Sequence, residues 1–163
     1  MAPSCQIPIH ILDIDAATDS TIQSVHDYWC GLNGGHPPRR KAFEFMDVYK
    51  AAPNLVLVER LADKSLRFIY CGTTVADNVP RDLTGRTLTP QTARAVSVDF
   101  AQIFSEVLDT PCWRFSRHLM EWPNDEHGEY ILGSGPLTDD AGNRVYVLTC
   151  MVFLKKSPFT SRV

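Results

Sequence analysis

Residues 66–88, LRFIYCGTTVADNVPRDLTGRTL, set an apolar strand directly before a dense run of turn chemistry. Leu66, Phe68 and Tyr70 alternate with Arg67, Ile69 and Cys71, the period of a pleated strand with two different faces. Gly72 breaks that strand and is expected to allow a sharp exit. Thr73 or Thr74 can cap a short helix ending before Pro80, and Asp82, Leu83, Thr84 and Gly85 make a second turn. Gly85 is expected at a backbone angle that a side chain would penalise.

Upstream, NLVLVERL (54–61) is a near-continuous apolar run, read as a strand and joined to the next by the polar turn Ala62–Ser65. So short a link predicts an antiparallel hairpin. Earlier still, Ile22, Val25, Trp29 and Leu32 recur at helical spacing, with Asp19 or Ser20 as the cap and Gly34-Gly35 as the stop. A stripe so narrow must be buried, against its own sheet or against a second copy. The connection HPPRRKAFEFMDVYKAAPN (36–54) is irregular, with Phe43, Phe45, Met46 and Tyr49 as apolar anchors.

Downstream, Thr89 and Pro90 start a longer helix whose apolar face is Val96, Phe100, Ile103, Phe104 and Val107, and which stops before Pro111. CWRFSRHLMEW (112–122), EYILGSGPL (129–137) and RVYVLTCMVFL (144–154) are strands, the last two joined by the turn TDDAGN. Two strands, then helices, then three strands describe an α+β domain with a five-stranded antiparallel sheet. Short helices and one longer helix are expected on one face, in addition to the N-terminal amphipathic helix. The chain divides into an N-terminal arm (1–17), a domain that includes the N-terminal helix (18–153) and a C-terminal tail (154–163).

The 163 residues suffice for one core, and a net charge of −3 argues against a nucleic-acid partner. Arg39-Arg40-Lys41, the one basic run, is read as a solvated loop. Cys5, Cys30, Cys71, Cys112 and Cys150 are scattered and odd in number, which suits reduced thiols in a cytoplasmic protein. No run reaches the roughly 20 apolar residues of a membrane span, and no signal peptide is visible.

Catalytic signatures do not stand out. LGSGP around Ser134 has Leu132 and Pro136 where a nucleophile elbow needs glycines, so its glycines are read as allowing a bend or close packing. GLNGGHPP follows a helix and lacks a phosphate-loop lysine. The five histidines include no H-x-x-x-H pair, and no metal site is expected. Asn124-Asp125-Glu126 and Asp139-Asp140 lie in turn-like segments.

The order hairpin, short helices, longer helix and three-stranded meander resembles the PAS fold. The segments VHDYWCGLNGGHPPRR and RFIYCGTTVADNVPRDLTGRTL look like the compact single-domain PAS proteins of alphaproteobacteria. The matching residues are Trp29, Gly34, Gly35, Pro38, Arg67, Tyr70, Gly72, Thr73, Asp82, Leu83, Thr84 and Gly85, and the likeness spans roughly residues 22 to 153. KAFEFMDVYKAAPN departs from the acidic, proline-containing pattern usual there.

The resemblance implies a sensory or regulatory module that binds a small apolar or amphipathic ligand, a protein partner in a signalling pathway, or both. The implied chamber lies between the inner sheet face and the 90–109 helix, lined by Phe68, Tyr70, Phe100, Phe104, Phe115 and Tyr130, with Arg117 or His118 as polar contacts. No cofactor is identified, and the Asn-Cys-Arg-Phe-Leu motif of flavin-type PAS modules is missing. No output domain is read after residue 153, so a signal is expected to leave through a binding surface. The helix carrying Ile22, Val25, Trp29 and Leu32 is the candidate homodimer or partner surface. The alternatives are a small α+β enzyme using His118, and a ligand-free protein-interaction adaptor.

Overall fold

The computed structural model describes residues 10–11, 17–79, 83–89, 100–110, 112–121 and 127–154. Cys5, most of the 1–17 arm, Asp82, Pro90, Val96, the Phe100 side chain, the 124–126 stretch and the tail beyond Leu154 lie outside the described residues.

Helix α1 (Ser20–Leu32) starts where the sequence places it. The Asp19 carboxylate accepts hydrogen bonds from the backbone N–H groups of Thr21 (2.9 Å) and Ile22 (3.0 Å), two donors with no partner inside the helix. At its other end Gly34 takes φ +60, and Gly35 N–H donates to the Cys30 carbonyl at 2.9 Å, closing a Schellman end.

The connection that follows is built of 3₁₀ turns at Arg40–Ala42, Phe45–Val48 and Ala52–Asn54. Its anchors differ from the expected set. Phe43, Val48 and Ala51 are buried and Phe45 partly so, whereas Met46 and Tyr49 are 77% and 60% exposed. Three residues per 3₁₀ turn bring residues 45 and 48 to one side and residues 46 and 49 to another.

Five long strands form the antiparallel sheet: β2 (Leu55–Arg60), β3 (Leu66–Cys71), β5 (Arg114–Glu121), β6 (His127–Thr138) and β7 (Arg144–Phe153). Two-residue strands extend its edges: β1 (His10–Ile11) runs parallel to β5, and β4 (Thr87–Leu88) pairs with β3, giving the order β1-β5-β6-β7-β2-β3-β4. The remaining helices are α2 (Thr73–Asp77) and α3, described over Phe100–Asp109.

The sheet is covered on both sides. On one face, here the inner, α2 and α3 bury Val56, Phe68, Phe104, Tyr130, Leu132 and Met151. On the outer face α1 buries Ile22, Val25 and Trp29 against Leu55, Leu57, Trp113, Ile131 and Leu148. The apolar stripe of α1 is thus taken up by this chain's own sheet. Ile22, Val25 and Trp29 have no exposed surface left for a second copy, and Leu32 is partly buried at the same cluster.

Strand β3 departs from simple alternation. Val58 pairs with Phe68 but Leu57 pairs with Tyr70, so Ile69 is an extra, bulged residue. The bulge turns Tyr70 with Ile69 to the outer cluster and returns Cys71 to the inner one, correcting the placement of Tyr70 beside Phe68.

The turns of residues 66–88 then clip back onto β3. Gly85 N–H donates to Phe68 O (2.8 Å), and Thr84 Oγ1 accepts from Cys71 N–H (3.1 Å). Gly85 has φ +77, as expected. Gly72 does not need glycine's dihedral freedom, because its φ is −65. It needs glycine's size: a Cβ there would stand 2.3 Å from the Pro53 carbonyl oxygen and 2.5 Å from that of Ala52. Gly72 is itself the N-cap of α2, and Thr73 and Thr74 lie inside the helix.

Two more glycines carry weight. A Cβ at Gly133 would fall 2.6 Å from Ile22 Cγ2 and 2.8 Å from Trp113 Cζ2, and one at Gly135 would fall 2.6 Å from Trp113 Cε3. Both Gly72→Ala and Gly135→Ala should lower the urea midpoint, by about 1–3 kcal/mol of stability. Gly31→Ala, with no atom within 4 Å of the new Cβ and an exposed helix position, should instead be neutral or stabilising by up to roughly 1 kcal/mol.

Candidate functional site

Alternation along β5 sorts the residues singled out from sequence. His118 pairs with Tyr130 and Ser116 with Leu132, which puts both on the inner face. Phe115 pairs with Gly133 and Arg117 with Ile131, on the outer face. A period of two forbids Phe115, Arg117 and His118 from sharing one chamber.

The structure therefore brings together Phe68, Phe104, Tyr130 and His118 and separates Tyr70, Phe115 and Arg117 from them. Phe68 and Phe104 are fully buried with ring centroids 6.3 Å apart. The His118 ring stacks on Tyr130 at 5.1 Å with an interplanar angle of 17°, and Tyr130 continues to Phe153 at 6.1 Å.

The separated residues have outer-face roles. Tyr70 donates its hydroxyl to the Ala52 carbonyl (2.8 Å) and packs on Phe45, and burial raises its phenol above the usual range. Phe115 lies against the His26 ring, and Arg117 donates to Glu129 at 2.6 Å near solvent.

Three hydroxyls that are not among the expected site residues lie on the inner face. Ser116 Oγ is 2.8 Å from His118 Nε2. Ser134 and Thr149 are buried and share a hydroxyl hydrogen bond of 2.7 Å between β6 and β7. At the end of α2, Asn78 donates to the Thr74 carbonyl (2.8 Å) and is buried, yet its Oδ1 has no hydrogen-bond partner among the described residues. The available signal was a single hydroxyl in an otherwise apolar strand, as in ILGSGPL and VYVLTCMVF.

Helix α3 is pinned to the sheet at its C-terminal half. Arg114 Nη2 lies 3.3 Å from Glu106 Oε2, and Arg144 Nε donates to the Leu108 carbonyl at 3.0 Å. A cation at the end of a helix also meets the negative end of its dipole favourably. Beside this end a groove of about 740 Å³ runs between α3 and the β2–β3 turn, lined by Arg60, Lys64, Leu66, Ser105 and Asp109 among others.

Among the described residues, no group of three or more His, Cys, Asp or Glu is arranged to hold a metal ion. No helix among them is long and apolar enough to cross a membrane.

The family model of the PAS domain matches residues 17–152. The chain belongs to the PAS domain family. A search of the curated proteins finds no match.

Among solved structures, this PAS domain is similar to a light-oxygen-voltage domain studied with a flavin analogue. Identity is 16% and the TM-score 0.45, over 68% of this chain and 84% of that one. It is also similar to VqmA bound to DPO, at 18% identity and TM-score 0.47, over 67% of this chain and 56% of that one. The LOV protein of Rhodobacter sphaeroides matches at 13% identity and TM-score 0.43, over 71% of each chain.

The buried hydroxyl pair gives a test of the inner face. Thr149→Val leaves the Ser134 hydroxyl buried without its partner and should cost about 1–3 kcal/mol. The double variant Ser134→Ala/Thr149→Val should be more stable than the sum of the single changes by at least roughly 0.5 kcal/mol in urea titrations.

Proposed function

We propose that this PAS domain is a sensory module that holds a small amphipathic ligand on its inner face, and that its role is binding rather than catalysis. One observation carries the reading. Polar side chains sit among aromatic rings on the covered face of the sheet, and at the end of α2, which packs on that face, the Asn78 side-chain oxygen is buried with no partner among the described residues. A buried polar group left unpaired costs about 1–3 kcal/mol, so a ligand donor at that acceptor would be favourable. Few convergent polar groups in an apolar surround are the ordinary composition of a small-molecule site.

The ligand chemistry follows from the walls. Phe68, Phe104 and Tyr130 favour an aromatic or aliphatic body, His118 and Ser116 accept or donate to one polar group, and Asn78 accepts from another. Membership in the PAS family supports a sensory role. A homodimer or partner contact would use surface other than Ile22, Val25 and Trp29, which are spent inside the fold.

Native mass spectrometry of freshly purified protein, compared with its denatured mass, is the direct test. Excess mass released on denaturation is expected. His118→Leu and Asn78→Leu should each reduce ligand occupancy by at least about fivefold, roughly 1 kcal/mol. The outer-face variant Arg117→Ala should leave it unchanged. A clean apo mass, together with no thermal shift across a small-molecule library, would turn the reading to a ligand-free adaptor.

A further inference from the structure

Helix α1 carries a second constellation, on the opposite side of the sheet from the inner face. Cys30 Sγ lies 3.3 Å from His26 Nε2, and His26 Nδ1 lies 3.0 Å from Asp27 Oδ1. The i, i+4 spacing of His26 and Cys30 puts both side chains on one flank of the helix. Gln23 Nε2 donates to Asp27 Oδ1 at 2.9 Å and holds that carboxylate beside the ring.

The same amide nitrogen also stands 3.3 Å from His26 Nδ1. The shorter, charge-assisted contact with Asp27 assigns the proton to Nδ1, because a carboxylate can only accept. Nε2 then presents its lone pair to the sulfur. Trp113 and Phe115 wall the imidazole at centroid distances of 5.6 and 5.3 Å. Nucleophile, base and orienting carboxylate are thus in sequence, within hydrogen-bond reach of one another.

We propose that Cys30 is a modification site, a thiol that His26 and Asp27 prepare for reaction with hydroperoxides. His26 Nε2 takes the thiol proton as the sulfur attacks the terminal peroxide oxygen. An S–O bond forms and the O–O bond breaks. The departing hydroxide or alkoxide takes the proton back from His26. The sulfur is oxidised by two electrons to a sulfenic acid, and the peroxide is reduced to water or an alcohol.

The location gives the reaction a structural consequence. Cys30 is 6% exposed and adjoins Trp29, so an added oxygen must displace packing where α1 rests on the sheet. This inference stands independently of any ligand on the inner face.

The full chain supplies its own comparators. Cys71 has the same 6% exposure, and Cys150 is fully buried with its thiol pushed far up by that burial. Iodoacetamide labelling, and hydrogen peroxide followed by dimedone trapping, should be followed peptide by peptide by mass spectrometry. Cys30 is expected to react at least about tenfold faster than Cys71, modest beside the roughly 100-fold a positioned base can supply.

His26→Gln should reduce the Cys30 rate to that of Cys71. Asp27→Asn, at a solvent-exposed carboxylate, should slow it by a smaller factor with the fold retained. The far-UV spectrum checks the fold of both, and Asp27→Asn carries the test should His26→Gln fail to fold. The proposal is overturned if Cys30 reacts no faster than Cys71. It is equally overturned if the folded variants label Cys30 as fast as the parent or faster, which would mean that exposure alone sets the rate.

Discussion

Two tryptophan rings lie directly on two glycines of β6, and the rest of the fold is arranged around that contact. Trp113, just before β5, covers the backbone of Gly133 and Gly135, and Trp29 of α1 joins it over Gly135, with ring atoms 2.6–2.9 Å from where a Cβ would stand. Trp29 also donates its indole N–H to the Pro136 carbonyl at 3.0 Å. Both rings have no exposed surface. Each buries on the order of 200 Å², worth about 5 kcal/mol as an upper value at roughly 25 cal/mol per Å². Among the described residues the Trp113 indole N–H has no hydrogen-bond partner, a cost of about 1–3 kcal/mol that the packing of its ring outweighs. The glycines let α1 approach the sheet closely enough to seal the outer face.

A sheet sealed on both sides assigns every strand residue to one of two environments, and a single bulge changes that assignment. At Ile69 the extra residue sends Tyr70 to hydrogen-bond Ala52 on the outer side while Phe68 stays with Phe104 on the inner side. The PAS domain therefore has two chemically distinct layers. The inner layer mixes aromatic rings with hydroxyls, an imidazole and an amide. The outer layer is a dense aromatic and aliphatic core with the Cys30, His26 and Asp27 group at its margin. Turns that look decorative in sequence, such as Leu83-Thr84-Gly85, are the clips that keep β3 in this register.

Much of the architecture was legible because it rests on local chemistry. Asp19 caps α1, Gly34 ends it, Gly85 occupies its positive-φ turn, and the polar link Ala62–Ser65 joins an antiparallel hairpin, all from residue types that act over a few positions. The site was legible only in part. Phe68, Phe104, Tyr130 and His118 do meet, since simple alternation and helical spacing were sufficient for them. Tyr70 was misplaced because a bulge leaves no mark in the hydrophobic pattern of LRFIYC. Phe115 and Arg117 were misplaced because a shared strand was taken for a shared face. Ser116 and Thr149 carry no mark in the sequence, and Ser134 is discounted there as a nucleophile, because a hydroxyl in a strand signals nothing until its cross-strand partner is known.

By itself the sequence determined the α+β class, the order and approximate ends of the elements, and the family likeness carried by its tryptophan helix and its turns. These depend on periodicity, capping and turn residues, which act between neighbours along the chain. Tertiary structure alone decided which side of the sheet α1 covers, and that the close packing expected at LGSGP is with two tryptophans. It likewise decided that Gly72 is required for its size and not for its dihedral angle, and that Cys30 faces an imidazole. Each of those outcomes depends on a partner distant in sequence, and long-range proximity is fixed by packing, which no local pattern encodes.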